Sequence, residues 1–219
     1  MSTMVRRSTY RERAAFGLID DTGGVATVLL AILGLAGLYA PILAAIATIL
    51  LGVALLAQGR SLLAQYGRAS VEAAARIPVS AAAAAVRFAV ILLGASAVAL
   101  GVLALLDVNS AVLTPIASIM IGAGFVFSSV SAWHLNAIRR ASATGEASAR
   151  AALANQMIFD SLGVQSFAGL AAMLLGVLAA SGATYDLTFN LVALLILGSA
   201  LVLKGGGLNT IVLSLMRPA

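Results

Sequence analysis

The stretch Ile46-Ala47-Thr48-Ile49-Leu50-Leu51-Gly52 carries no charge and closes on a glycine. It returns as Ile116-Ala117-Ser118-Ile119-Met120-Ile121-Gly122, and again as Val192-Ala193-Leu194-Leu195-Ile196-Leu197-Gly198. Each copy lies within a longer apolar run, and each of those runs follows another. The preceding runs share Leu33-Gly34-Leu35, Leu100-Gly101-Val102 and Leu175-Gly176-Val177. A helix that crosses a bilayer needs roughly 20 mostly apolar residues, within a range of about 17–25. Six runs are read as spans, at about 24–40, 41–58, 87–106, 111–132, 162–181 and 187–204. The expected fold is all-α, a polytopic membrane protein with six transmembrane helices arranged as three repeated hairpins. The hairpins cover about 24–68, 87–140 and 162–217. A basic segment over 1–23 precedes the bundle of 24–204, and a surface segment over 205–219 follows it.

Composition points the same way. Of 219 residues, 62% are hydrophobic and 10% charged, with a mean hydropathy of +1.08. Soluble domains carry about 25% charged residues, so charge this scarce cannot cover a water-facing surface. No cysteine is present, which excludes disulfides, thiol chemistry and thiolate metal sites. The net charge of +5 would suggest nucleic acid in a soluble protein, but here the distribution gives another cause. Arg6, Arg7, Arg11 and Arg13 precede the first span. Arg60, Arg68, Arg76 and Arg87 lie between spans two and three, and Arg139, Arg140 and Arg150 between four and five. Lys204 and Arg217 follow span six. The opposite turns hold only Asp107 and Asp186. Basic residues mark the cytoplasmic side, so both termini and the long linkers are expected there, in the inner membrane of a bacterium. The first helix is expected to be retained, because no small-residue cleavage site closes its run and Pro41 opens the next helix.

Small residues recur seven apart: Thr27/Gly34, Gly94/Gly101 and Gly169/Gly176 in the first helices, Gly52/Gly59, Gly122/Ser129 and Gly198/Gly205 in the second. A seven-residue step returns to nearly the same helix face. Lipid gives no hydrophobic drive for helix association, so small residues pack helices by letting backbones approach. Gly34, Gly52, Gly101, Gly122, Gly176 and Gly198 are therefore expected to pack each hairpin. The other reading has them lining a permeation path. In the linkers, Glu72 precedes Arg76 by four residues, as Glu146 precedes Arg150. That order supports a helix by about 0.2–0.5 kcal/mol. Separate surface helices are expected at about 68–76 and 144–156, ended by Pro78 and Gly163.

Chemistry is sparse. No ionisable residue falls at mid-span, which argues against a proton relay or a charged substrate clamp. Asp107 with Asn109, and Asp186 with Asn190, are read as helix caps, the alternative being a ring that attracts cations. Gly205-Gly206-Gly207 is read as the end of the last span, the alternative being a hinge. His134, the single histidine, follows Trp133 at the end of span four. It is a candidate cofactor ligand, though an interfacial aromatic pair explains it without one. No metalloprotease, Walker or serine-hydrolase motif occurs, so an enzyme is not expected, nor any cofactor or metal. Arg6, Arg7, Arg11, Arg13, Arg139 and Arg140 are candidates for contact with anionic lipid.

The hairpin pattern from Ile32-Leu33-Gly34 through Gly52, with its counterparts at Gly101–Gly122 and Gly176–Gly198, resembles the HdeD-like membrane proteins. That family is associated with bacterial acid resistance, and the resemblance covers roughly residues 25–204. It implies a stress-related membrane protein and supplies no catalytic residues. The expected function is that of a non-enzymatic structural or accessory protein. It would act by helix packing, as a homo-oligomer or as a subunit of a larger membrane complex, with lipid as its surroundings and no nucleic acid partner. A passive channel for a small neutral solute, lined by Thr48 and Ser118, is the second reading. A haem- or pigment-associated subunit using His134 is the third.

Overall fold

The computed structural model describes residues 22–73, 81–142, 148–182 and 185–205, with side chains over 22–60, 85–86, 88–130, 163–182 and 185–203. Six helices fill these segments: α1 (Thr22–Leu35), α2 (Ala40–Ala73), α3 (Ala81–Leu105), α4 (Ser110–Ser142), α5 (Ser148–Ala180) and α6 (Asp186–Gly205). No strand occurs among the described residues. Five of the helices, α2 to α6, are long and apolar enough to cross a membrane. The described part of α1 is apolar but shorter than the 24–40 span expected. It stops at Leu35 because Gly37 turns left-handed, at φ 88°.

The turns that end α1 and α3 have one geometry. After α1, Gly37 N–H donates to Gly34 O and Leu38 N–H to Leu33 O. After α3, Asp107 N–H donates to Ala104 O and Val108 N–H to Leu103 O. This is the Schellman pairing, which satisfies the last carbonyls of a helix and needs a left-handed residue at its centre. Gly37 takes that conformation freely. Asp107, at φ 61°, takes it because a short polar side chain tolerates it. Asp107 thus closes α3 rather than opening α4, which differs from its expected capping role. The next helices start two residues later, as Leu43 N–H bonds Tyr39 O and Leu113 N–H bonds Asn109 O. Asn109 therefore holds the start of α4 through its backbone carbonyl. In α6, the carboxylate of Asp186 accepts the N–H of Leu187, as a first-turn acid should. Pro41 falls in the first turn of α2, where its missing N–H costs nothing.

Two linker expectations are revised. The segment expected as a surface helix from 68 continues α2 without a break to Ala73. Likewise α5 runs from Ser148 straight through Gly163 to Ala180. One glycine costs a helix only about 1 kcal/mol against alanine, too little to interrupt 33 residues of favourable sequence. Pro78 lies outside the described residues.

Burial sorts the helices into two sets. Within their apolar windows α2, α4 and α6 are each 44% buried, whereas α3 is 28% and α5 33%. The first set touches itself around the centre, and the second lies outside it. Glycine joins the sets. A Cβ on Gly52 (α2) would lie 3.1 Å from Gly94 O (α3), and one on Gly94 would lie 3.1 Å from Gly52 O. Gly122 (α4) and Gly169 (α5) stand in the same relation, at 2.6 Å each way. Gly198 (α6) and Gly24 (α1) repeat it, at 3.2 and 3.1 Å. Each contact joins the second helix of one hairpin to the first helix of the next, and the third closes the ring. The glycines were expected to pack helices within a hairpin, and the structure puts them between hairpins. Gly101 and Gly176 follow the same rule. Cβ atoms there would meet Ile49 of α2 at 2.7 Å and Ile119 of α4 at 2.6 Å. Gly34 also packs between hairpins, where a Cβ would meet Leu191 of α6 at 2.8 Å. Relative to the turns at Gly37 and Asp107, Gly34 sits opposite Ala104, so the Leu-Gly pairing of the first helices is out of register in copy one.

Replacing Gly122 by Ala should lower the thermal midpoint, because its Cβ would press on a backbone oxygen that cannot move aside. Overpacking of this kind costs about 1–3 kcal/mol. Gly163→Ala, with nothing within 4 Å, should hold or raise the midpoint. Thermal melts of both variants in detergent check the pair; a Gly122 variant as stable as its parent contradicts the packing described.

Candidate functional site

The helices α2, α4 and α6 begin at one end of the bundle, and their first turns surround a cavity of about 170 Å³. Its rim is formed by exposed Pro41 and Ala111 with partly exposed Asp186 and Leu187. Its floor is formed by Thr114 and Asn190, which are 3% and 1% exposed. The first N–H groups of a helix have no partner within the helix, so converging helix starts make a polar environment in an apolar setting. Pro41 and Pro115 modify it. Neither has an N–H, and Pro115 leaves the Ala111 carbonyl without its usual donor four residues on.

The floor side chains are fixed by short bonds. Thr114 Oγ1 donates to Ser110 O at 2.8 Å. Ser118 Oγ donates to Asn190 Oδ1 at 2.6 Å, which ties α4 to α6. Among the described residues Asn190 Nδ2 is a buried donor with no partner. Such a group costs about 1–3 kcal/mol when left unsatisfied.

Beneath the floor the axis is filled. Thr48, Ser118 and Leu194 occupy matching positions on α2, α4 and α6, and all are fully buried. Thr48 is closed on itself, its Oγ1 donating to Ala44 O at 2.8 Å. The next layers are Leu51, Ile121 and Leu197, then Leu55, Phe125 and Leu201, all of 0% exposure. Thr48 and Ser118, the lining that a channel would need, are packed side chains with no exposed surface.

A second polar layer lies beyond this plug. Gln165 Nε2 on α5 donates to Ser128 Oγ on α4 at 2.9 Å and to Gln58 Oε1 on α2 at 3.4 Å. Ser128 and Ser129 turn their hydroxyls onto Phe125 O, each at 2.9 Å. Three helices are tied here by neutral amides and hydroxyls, which need no counter-ion. Gln58, Gln165 and the buried role of Asn190 escape a reading that looks for charge at mid-span. The available signal is rarity: a Gln or Asn inside an apolar run is expensive unless paired.

The other candidates separate. Gly34, Gly52, Gly101, Gly122, Gly176 and Gly198 all stand at helix contacts, as given above. His134, Arg139 and Arg140 fall on α4, and their side chains lie outside the described residues. Arg6, Arg7, Arg11 and Arg13 lie wholly outside them, as do Gly206 and Gly207. Among the described residues no cluster of His, Asp and Glu could hold a metal. No family model, curated protein or solved structure matches this chain.

Gln165→Leu should destabilise the bundle by about 0.6–1.7 kcal/mol, the range measured for hydrogen bonds between membrane helices. Phe167→Leu, on an exposed face of the same helix, should change little. Resistance to unfolding by a denaturing detergent, compared across the two variants, checks this.

Proposed function

We propose that the protein is a non-enzymatic integral membrane bundle made of three copies of one helical hairpin, which serves as a structural or accessory component of a bacterial inner membrane. The filled axis carries this reading: Leu51, Ile121, Leu197, Leu55, Phe125 and Leu201 leave no polar route from one end to the other. The outer faces support it. Leu29, Leu92, Leu170 and Leu174 are all at least half exposed, which suits contact with lipid or with the apolar face of another membrane helix. The shared turn geometry after α1 and α3, and the three reciprocal glycine contacts, support a common ancestor for the hairpins. The arginine distribution supports an orientation with both termini and the long helical extensions in the cytoplasm. Asp107 and Asp186 then face outward. The resemblance to HdeD-like proteins extends the reading to acid stress.

A passive path for a small neutral solute is the second reading, favoured by the cavity at the helix starts and opposed by the plug beneath it. Vesicles containing the purified protein should shrink and swell in glycerol or urea gradients at the rate of empty vesicles. A faster rate that falls back on Thr48→Leu or Ser118→Leu, in variants with unchanged melts, would replace the first reading by the second. Orientation has its own test, made clean by the absence of native cysteine. Asp107→Cys in intact cells should react with an impermeant maleimide, and Arg60→Cys should react only after lysis.

A further inference from the structure

Each of the three glycine contacts is the middle of a seam between neighbouring hairpins, and the seams share one register. Gly94 faces Gly52, Gly169 faces Gly122 and Gly24 faces Gly198. The match continues toward the end of the bundle away from the cavity. A Cβ on Gly94 would lie 3.0 Å from Leu56 N, four residues past Gly52. One on Gly24 would lie 3.0 Å from Val202 N, four residues past Gly198. In the α4–α5 seam, Gln165 Nε2 then meets Ser128 Oγ at 2.9 Å. Gln165 stands four residues before Gly169, and Ser128 six past Gly122. One step further, in the α2–α3 seam, a Cβ on Gly59 would lie 2.6 Å from Ile91 Cγ1. Gly59 stands seven residues past Gly52, and Ile91 three before Gly94.

The same count in the third seam arrives at two opposite charges. Six residues past Gly198 is Lys204, on α6, and four residues before Gly24 is Asp20. The described part of α1 begins at Thr22, so Asp20 precedes it by two residues. We infer that Asp20 and Lys204 form an ion pair that latches the first membrane helix to the last and closes the ring of three hairpins.

Charge complementarity supports the pairing. No acidic residue follows Asp186 in the chain, and Asp186 stands at the opposite end of α6. The eighteen residues between them span about 27 Å at a rise of about 1.5 Å each. A carboxylate for Lys204 must therefore come from another element. Asp160 on α5 is the rival, but it stands three residues from Gly163, where a Cβ would meet nothing. Residues three apart share a helix face, so Asp160 is on the open side of α5. The level also suits a pair. Lys204 falls near the far edge of a hydrocarbon layer about 30 Å thick, where a charge costs much less than at mid-span.

The pair would also tell α1 where to dock. Gln58 on α2 and Ser128 on α4 hold the positions that Lys204 holds on α6, and both are neutral. The three glycine seats are alike, so an acid preceding α1 selects the one that carries a cation. This latch operates whether or not the bundle passes a solute, so it goes beyond the proposed function.

The test uses the full chain in lipid nanodiscs, and the absence of native cysteine makes it clean. Asp20→Cys with Lys204→Cys should form a disulfide within one chain on oxidation. The readout is a monomer band that takes up no polyethylene glycol maleimide after denaturation. Asp20→Cys with Val130→Cys, on an exposed face of α4, should label at both sites. Charge is tested by exchange. Asp20→Lys and Lys204→Asp should each lower the thermal midpoint, and the double exchange should recover most of the loss. A disulfide yield no higher than in the Val130 pair overturns the inference. So do midpoints unmoved by either single exchange, losses that add in the double exchange, or recovery when Asp160 is exchanged with Lys204 in place of Asp20.

Discussion

In a bilayer, apolar side chains gain nothing by leaving lipid for protein, so helices are held by close contact and by the few polar groups they share. Here the contact is made between backbones. Gly52 with Gly94, Gly122 with Gly169, and Gly198 with Gly24 each bring a carbonyl oxygen against a glycine on the facing helix. The absence of a Cβ on both sides allows weak Cα–H···O contacts, each worth about 0.5–1 kcal/mol. The rest of the arrangement depends on these three points. They fix α1, α3 and α5 in the grooves outside α2, α4 and α6, and so decide which helices face lipid and which face one another. A bulkier residue at any of them would move a whole helix.

With that frame set, the interior can be dry at its middle and polar at both ends. The apolar layers from Leu51 to Phe125 need no hydrogen bonds, while the amides of Gln58, Gln165 and Asn190 sit above and below them. None of these groups is charged, so the polar layers avoid the cost of burying an ion in hydrocarbon. They also give the bundle direction. One end closes through a network across three helices, and the other holds the Ser118–Asn190 bond beneath a cavity rimmed by Pro41 and Ala111.

Much of the architecture was legible because spans announce themselves by length and apolarity. The second helices were placed closely: α2, α4 and α6 start at Ala40, Ser110 and Asp186, each one residue from the start expected. The first helices were harder. Their Leu-Gly pairs align by eye, yet the turn at Gly37 shows that Gly34 matches Ala104, because apolar sequence offers many near matches and only a turn fixes register. Asp107 departs from its expected role for a related reason. An acid beside a helix start looks like a cap, and nothing in sequence shows that its backbone is left-handed. Gly163 was weighed as a break when its helix had ample length to absorb it. Which helices the glycines join could not be read at all, since a small-residue face names no partner. The cavity was invisible for the same reason: Asn190, Asp186, Pro41 and Ala111 lie far apart in the chain and meet only where three helices start together.

The ring of contacts also sets an order of assembly. Gly52 meets Gly94 within a short length of chain, but Gly24 must wait for Gly198, the last partner to be made. At ordinary rates of synthesis that wait is on the order of ten to thirty seconds. Throughout it, the glycine face of α1 is uncovered and the matching groove unbuilt. Closure of the ring is therefore the last of the three glycine contacts to form, and the first helix made is the last to find its partner.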